Sequence, residues 1–422
     1  MAFQYDVCIV GAGMTGSAAA RWLSTEKGVR VCLLGPLEPT EEELQDPRRT
    51  IFGSHYDEAR IVSGLCARRR DSTWPVVVRR SIDRFKDLER ETGVNFYHEV
   101  GCVFKAFADD VTKVHTLLPS HSNTRKLTSE ELSELFPYLQ SDDSRFHAIL
   151  EPQKAGYISP RKYILANEII AKRNGCDVIR DIASEVTRHH DPSLGAYMRV
   201  VTQNGGRTIT AKRVLLCPGG FVNFERLLPD PLMEVDLTPM TEMAVLIELQ
   251  EEDAHRMAKM PSVLVYLPDS NDHRNSYILP PVKYPDGKYY LKVGHDSDWN
   301  RPLYSSGEVA AWYRSKTEDN FQAFQSIYLR IYESVTGFRP KSLRSMFCVT
   351  TYTPTGQFYC DMVSPTLGLI AAGNGGGAMA ADEIGRTGAR MILKGAWDSD
   401  LPTEEFKIRW KIKKGGKVNS QL

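Results

Sequence analysis

The chain has 422 residues, 42% of them hydrophobic, with 53 basic and 53 acidic side chains. It is long enough for two domains with separate cores. The balanced charge gives no bulk attraction to nucleic acid or an anionic membrane, and no apolar run reaches the roughly 18 residues of a membrane span.

The expected first strand, residues 5–10, leads directly into Gly11-Ala12-Gly13-Met14-Thr15-Gly16, and an Ala-rich helix opens behind it. In such a G-x-G-x-x-G turn the three glycines have separate jobs. Gly11 makes the tight turn, Gly13 lets backbone approach a pyrophosphate, and Gly16 lets helix pack on strand. The pyrophosphate sits at the helix N-terminus, where Met14 and Thr15 begin and unpaired N–H groups favour negative charge. A second strand over 29–34 closes a βαβ unit. The acid that should hold the ribose at its end is missing, because Leu34 and Gly35 stand there. Glu38 lies three residues on and reads as a solvated loop carboxylate. NAD, NADP and FAD stay open at this point, although a fingerprint so near the N-terminus suits FAD-dependent oxidoreductases.

Residues 35–49 read as an irregular polar loop. Gly53-Ser54-His55-Tyr56-Asp57-Glu58-Ala59-Arg60-Ile61 follows, with a His and an Arg that could face a flavin. Helical periodicity covers 76–92 and 127–138, the latter with Thr128 as N-cap and Glu131 in capping-box position. A helix over 161–174 and a strand over 176–179 come next, then strand-like runs at 197–202 and 208–210. The apolar run 213–217 ends in Pro218-Gly219-Gly220, where backbone must pass close to a cofactor. From 238 to 294 short strands alternate with turns (243–249, 262–267, 276–280, 289–294), the pattern of an antiparallel sheet. A helix is expected over 321–336. A buried strand at 366–372, the loop Gly373-Asn374-Gly375-Gly376-Gly377 and a helix over 378–393 return to nucleotide-domain texture and fold back on the first unit.

The fold class read from this order is α/β: a Rossmann-type dinucleotide-binding domain plus a substrate domain on a mixed or antiparallel sheet. The nucleotide domain takes residues 1–90, 151–225 and 342–400, and the substrate domain takes 91–150 and 226–341. Residues 401–422 form a tail with Lys411, Lys413, Lys414 and Lys417 that ends in Ser420-Gln421-Leu422. That ending resembles a peroxisomal address and implies an import receptor as partner. The eight cysteines lack metal-type spacing; Cys8, Cys32 and Cys217 read as small buried hydrophobes of a reducing compartment, and no metal is expected.

Five motifs, in this order and spacing, resemble the monomeric sarcosine oxidase, N-methyl amino acid oxidase and pipecolate oxidase family of FAD enzymes. They are the Gly11–Gly16 fingerprint, Gly53-Ser54-His55 with Arg60-Ile61, Leu291-Lys292-Val293-Gly294, Phe347-Cys348-Val349-Thr350-Thr351-Tyr352-Thr353-Pro354, and Gly373–Gly377. The resemblance implies a monomeric FAD oxidase of a secondary or N-methylated amine. A hydride equivalent passes from the amine α-carbon to flavin N5, an imine forms, and O2 becomes H2O2. It implies that Cys348 carries the flavin through a thioether to the 8-methyl carbon. It places Lys292, through a water, over the flavin as the charge that helps O2 accept electrons, with Arg60 beside the ring and Tyr56 where the family has a His. His295 completes the candidate catalytic set; Ser54, His55, Gly219 and the final glycine loop complete the cofactor set.

Two departures bear on substrate. The family's carboxylate-binding Arg and Lys positions hold Ser63 and, after the last glycine loop, Ala378-Met379-Ala380. A buried carboxylate without cations costs several kcal/mol. The substrate is therefore expected to be an amine whose carboxylate is absent, distant or held otherwise, with Arg274, Arg301 or His295 as replacement contacts. A flavin dehydrogenase with another acceptor, and a flavin-binding protein without turnover, are the alternatives.

Overall fold

Strand β1 (Tyr5–Val10) and helix α1 (Met14–Ser24) are joined by the glycine turn, and β2 (Val31–Leu34) follows. The computed structural model describes residues 3–64, 73–107, 109, 111, 123–139, 146–193, 195–203, 205–230, 232–265, 275–295 and 299–412. Arg274 and the tail from Lys413 to Leu422 lie outside them, as does the His295 side chain. The chain continues through α2 (Glu41–Gln45), β3 (Arg60–Val62), α3 (Trp74–Thr92), β4 (Tyr97–His98) and β5 (Cys102–Phe107). Next come β6 (Arg125–Leu127), α4 (Ser129–Leu135), β7 (Phe146–Glu151), β8 (Gly156–Ile158) and α5 (Pro160–Arg173). Four strands, β9 (Asp177–Ile179), β10 (Ala183–Asp191), β11 (Gly195–Thr202) and β12 (Thr208–Leu216), precede β13 (Met233–Val235) and β14 (Thr238–Leu249). Then α6 (Glu251–Arg256), β15 (Ser262–Val265), β16 (Ser276–Lys283), β17 (Tyr289–His295), α7 (Ser306–Tyr313) and α8 (Phe321–Leu329) lead to β18 (Pro340–Tyr352). The described chain closes with β19 (Tyr359–Ser364), β20 (Leu367–Ala371), α9 (Gly377–Lys394) and β21 (Trp410–Ile412).

The first large sheet runs β10-β11-β12-β1-β2-β9, with β20 beside β12 and β19 beside β20. Its centre is parallel: β1 pairs with β12 and β2, β2 with β9, and β12 with β20. Because strand side chains alternate, Val7, Ile9 and Leu33 pack under the helices on one face, while Cys8, Val10, Cys32 and Leu34 form a second core on the other. Helices α1 and α9 lie in contact because Gly385 has no side chain; a Cβ there would stand 2.7 Å from that of Ala18. This contact sets the last glycine loop beside the first, although hundreds of residues separate them.

The second large sheet runs β18-β14-β17-β16-β15-β5-β7-β6. It is antiparallel except where β15 meets β5, so it is mixed. Met243, Val245 and Ile247 of β14 point into a core with Leu291, Val293, Val349, Phe324 and Trp312. By alternation, Glu242, Ala244 and Leu246 share the opposite face with Cys348 and Lys292.

Several expected elements differ. The loop at 35–49 contains α2, whose Thr40 and Glu43 form a reciprocal capping box; the T-x-x-E signal was present in the sequence. The helix expected over 321–336 stops at Leu329 and tightens into a 3-10 turn over Arg330–Glu333. The runs at 208–210 and 213–217 are one strand, β12, because Ala211 pairs with both β1 and β11. Strands β5, β7 and β10 were not anticipated. By contrast α4 starts at the Thr128 cap with its Glu131 box.

Candidate active site

The site is built between the strand ends of the first sheet and one face of the second. A cavity of about 1250 Å³ runs from the Gly11–Gly16 turn, past Cys217, Pro218, Gly219 and Gly220, to the final glycine loop, Cys348 and Tyr277. Ordinary ligand pockets hold roughly 300–1,000 Å³, so this one can take a dinucleotide-sized cofactor and a small substrate together.

At the first end, geometry assigns each glycine of the fingerprint its part. Gly11 has φ +112°, and a Cβ there would lie 2.1 Å from the Cys217 carbonyl oxygen. Gly16 would place a Cβ 1.8 Å from the Gly11 oxygen. Gly13 would meet only His55 Nδ1, at 3.6 Å, so open cavity lies before it. Helices α1 and α9 both begin without a side-chain cap and without an acid in the first turn, leaving their N–H groups for an anion. The acid missing after β2 has a counterpart on the neighbouring strand. Asp181, just past β9, lines the cavity, its carboxylate accepting from Ile182 and Gly205 N–H at 2.7 and 3.1 Å. Glu38 is not a solvated carboxylate: it forms a two-bond pair with Arg161 at 2.6 and 2.7 Å and does not line the cavity.

At the other end, Ser54 donates to the Val349 carbonyl at 2.6 Å and so fastens the Gly53–Arg60 stretch to β18 beside Cys348. Arg60 lines the cavity, but its guanidinium donates to the Ser54 and Ala59 carbonyls at 2.9 and 3.1 Å and pairs with Asp57. His55 lines the cavity, partly buried; burial, then the Arg161 and Arg60 charges, hold its pKa down at about 3, so it stays neutral. Tyr56 packs edge-on against His55, its phenol raised by burial. Cys348 lines the cavity; burial raises its thiol, with Arg60 and Lys292 opposing and Glu242 adding to the rise. Asn374 lines the cavity as well, yet its amide ties the glycine loop to the stretch after Cys348, bonding Thr353 N–H at 2.8 Å and the Gln357 carbonyl at 3.0 Å. Gly373, Gly375, Gly376 and Gly377 line the wall beside it.

Lys292 departs most from expectation. Its ammonium does not line the cavity but sits 2.5 Å from Asp57 Oδ2 and 3.2 Å from the Ala59 carbonyl. A cation with no solvent contact requires a counter-charge, and Asp57 supplies it. Ser63 and Ala380 also lie off the cavity. Ser63 donates to Glu151 at 2.5 Å, and Ala380 belongs to the helix core. Arg301 is placed over the Trp312 ring rather than on the cavity wall. Sequence reading missed Asp57, Glu242, Tyr277 and Tyr313. Asp57 alone carried a signal, three residues before Arg60; the others reach the cavity only through strand register and helix docking.

A model of the family described as FAD dependent oxidoreductase, DAO, matches residues 6–391. The chain belongs to this family. Among curated relatives, monomeric sarcosine oxidase of Bacillus sp. (strain B-0618) is 23% identical over 410 residues, 95% of each chain. N-methyl-L-tryptophan oxidase of Yersinia pestis (strain Pestoides F) is 23% identical over 273 residues, covering 63% of this chain and 66% of that protein. Among solved structures, NikD, an unusual amino acid oxidase essential for nikkomycin biosynthesis, superposes in its open form with a TM-score of 0.75. That match spans 99% of this chain and all of NikD at 17% identity, and it shows the shared fold.

The residues of this oxidoreductase fit FAD. The Gly11–Gly16 turn and the two uncapped helix starts suit a diphosphate. The cavity continues past them to an aromatic and thiol-bearing end wide enough for a ring system.

Proposed function

We propose that the chain is an FAD-dependent oxidase of a secondary or N-methylated amine. When bound, FAD supplies the two-electron chemistry, taking a hydride equivalent from the carbon beside nitrogen and delivering the electrons to O2 as H2O2, while the imine product hydrolyses. The single observation that carries this reading is the continuous cavity joining the fingerprint turn to Cys348. The protein's own contribution is placement. Helix starts hold the diphosphate, and Ser54 and Asn374 lock the two loops that flank Cys348. Phe104, Leu264 and Tyr277 give the chamber an apolar wall against which a neutral amine can lie without a general base. Cys348 is proposed to hold the ring covalently, and O2 to be the acceptor.

Purified enzyme denatured in acid tests the link. Yellow colour that stays with the wild-type polypeptide and leaves with Cys348→Ala supports it, and colour released from both removes it. Anaerobic bleaching by an amine, with peroxide formed on aeration, tests the oxidase reading.

One observation favours a second reading, a dehydrogenase with a different acceptor: the Lys292 ammonium is committed to Asp57. Reoxidation of the bleached enzyme by O2, compared with reoxidation by a quinone, separates the two.

A further inference from the structure

We infer that Glu405 is a positioning residue of the cofactor site: from the segment after α9 it holds the last glycine loop in shape through Gln357 and Thr73, without itself reaching the cavity. This rests on FAD as the cofactor and is independent of which amine is oxidised.

The loop does not hold its shape by itself. Ala372, Asn374 and Gly375 have φ of +65°, +45° and +80°, and the first two carry a Cβ that disfavours the left-handed region. Such backbone persists only where its surroundings fix it. Asn374 ties it to the turn after β18. Its N–H donates to the Thr351 carbonyl at 3.0 Å, its Oδ1 accepts from the Thr353 N–H at 2.8 Å, and its Nδ2 donates to the Gln357 carbonyl at 3.0 Å. The loop is therefore only as firm as the 353–357 turn.

Glu405 fastens that turn and the start of α3 with one carboxylate oxygen. Its Oε2 accepts from Gln357 Nε2 at 2.9 Å, from the Thr73 hydroxyl at 2.8 Å and from the Thr73 N–H at 3.2 Å. Gln357 is thus held twice, by Glu405 through its side chain and by Asn374 through its carbonyl. The Thr73 side chain makes no cap on α3, and its bonds to Glu405 fix the point where Trp74 begins. The Trp74 ring lies against Gly376, where a Cβ would stand 2.5 Å away, and it stacks on Phe358 at 5.1 Å. Both arms from Glu405 end on the same loop. Asn374, Gly376, Trp74 and Phe358 line the cavity, whereas Glu405 and Gln357 do not.

The carboxylate is carried on an anchored segment. Glu405 ends a 3-10 turn over Thr403–Glu405. Phe406 behind it is buried in the helix core, and its carbonyl accepts the Cys360 N–H at 2.9 Å. The Ile408 N–H then donates to Asp361 at 3.2 Å.

The test uses full-length protein carrying Cys348→Ser, so that FAD can be removed and titrated back by flavin fluorescence. Adding Glu405→Ala should raise the FAD Kd about tenfold, the worth of one charge-assisted hydrogen bond, and alter the visible circular dichroism of the bound flavin. Glu405→Gln keeps an accepting oxygen in place. Because neutral bonds are about half as strong, its Kd should rise only about threefold. Asp361→Ala frees the same segment at Ile408 without touching Gln357 or Thr73. It should lower the urea midpoint yet leave Kd and dichroism as in the parent. If Glu405→Ala does not fold, Gln357→Met cuts the same link from the other side and should raise Kd likewise. A Kd unmoved by these cuts, or raised equally by Asp361→Ala, would make Glu405 an ordinary stabilising residue and overturn the inference while FAD binding stands. Absence of flavin from the wild-type protein would overturn both.

Discussion

Lys292 Nζ stands 2.5 Å from Asp57 Oδ2, with the two side chains 1% and 0% exposed. The same carboxylate accepts from the Tyr284 hydroxyl at 2.7 Å and the Glu58 N–H at 2.8 Å, and it pairs with Arg60. Lys292 and Arg60 thus share one buried acid at the cavity wall. Arg60 reaches the cavity wall, whereas Lys292 stays behind it and can act on the cavity only through its field.

That arrangement makes Asp57 structurally critical. Asp57→Asn leaves the buried Lys292 and the partly exposed Arg60 without a full counter-charge and should cost about 3–5 kcal/mol, read as a lower denaturant midpoint. A loss under about 1 kcal/mol would mean that water reaches the cluster.

Burial first, and Arg60 second, push the Lys292 pKa well down. A depressed folded-state lysine pKa means that stability increases as pH rises from that value to the ordinary one near 10.4, and is lost again on the way down. If the ammonium assists O2, reoxidation should slow as pH rises through the lowered pKa. Lys292→Arg should flatten that profile, and Lys292→Met should slow reoxidation by roughly 10²-fold. A wild-type profile already flat over this range would remove Lys292 from the oxygen step.

His55 titrates in the opposite part of the scale. With its folded pKa near 3 against about 6.5 when unfolded, its contribution is complete above the unfolded value. It is lost as pH falls toward the folded one, at about 1.4 kcal/mol per pH unit. Urea midpoints at neutral and mildly acid pH should therefore diverge, and His55→Asn should reduce the divergence. Equal slopes in both proteins would contradict a neutral imidazole in the folded state.

The fingerprint glycines separate folding from binding. Gly16→Ala forces a methyl onto the Gly11 carbonyl and should lower stability by about 1–3 kcal/mol or more, as overpacking does. Gly13→Ala meets no such obstacle, so the apoprotein should melt near wild type while FAD is lost on gel filtration. Retention of FAD by Gly13→Ala would move the diphosphate away from that turn.

Asp382 on α9 pairs with Arg21 of α1, reaches Arg84 of α3 at 2.5 Å and takes the Tyr163 hydroxyl of α5 at 3.3 Å. Asp382→Asn should cost about 3–5 kcal/mol and loosen all four helices, visible as faster amide exchange in each. Exchange confined to α9 would show that the helices do not depend on this acid.

The sequence alone was enough for the local devices of this flavoprotein. The strand–glycine–helix units and the Thr128 cap depend on backbone freedom, capping and periodicity, which neighbours in the chain dictate. Tertiary structure decided which charges meet. Asp57 and Lys292 are 235 residues apart, and Glu242 faces Cys348 only because β14 and β18 pair in one register. A shift of one residue would turn each side chain to the opposite face. Strands β5 and β7 were hidden for a similar reason: their apolar runs gain meaning only from the strands that flank them. Whether a buried lysine points at the cavity or away from it follows from where the nearest acid is packed, and spacing along the chain does not encode that.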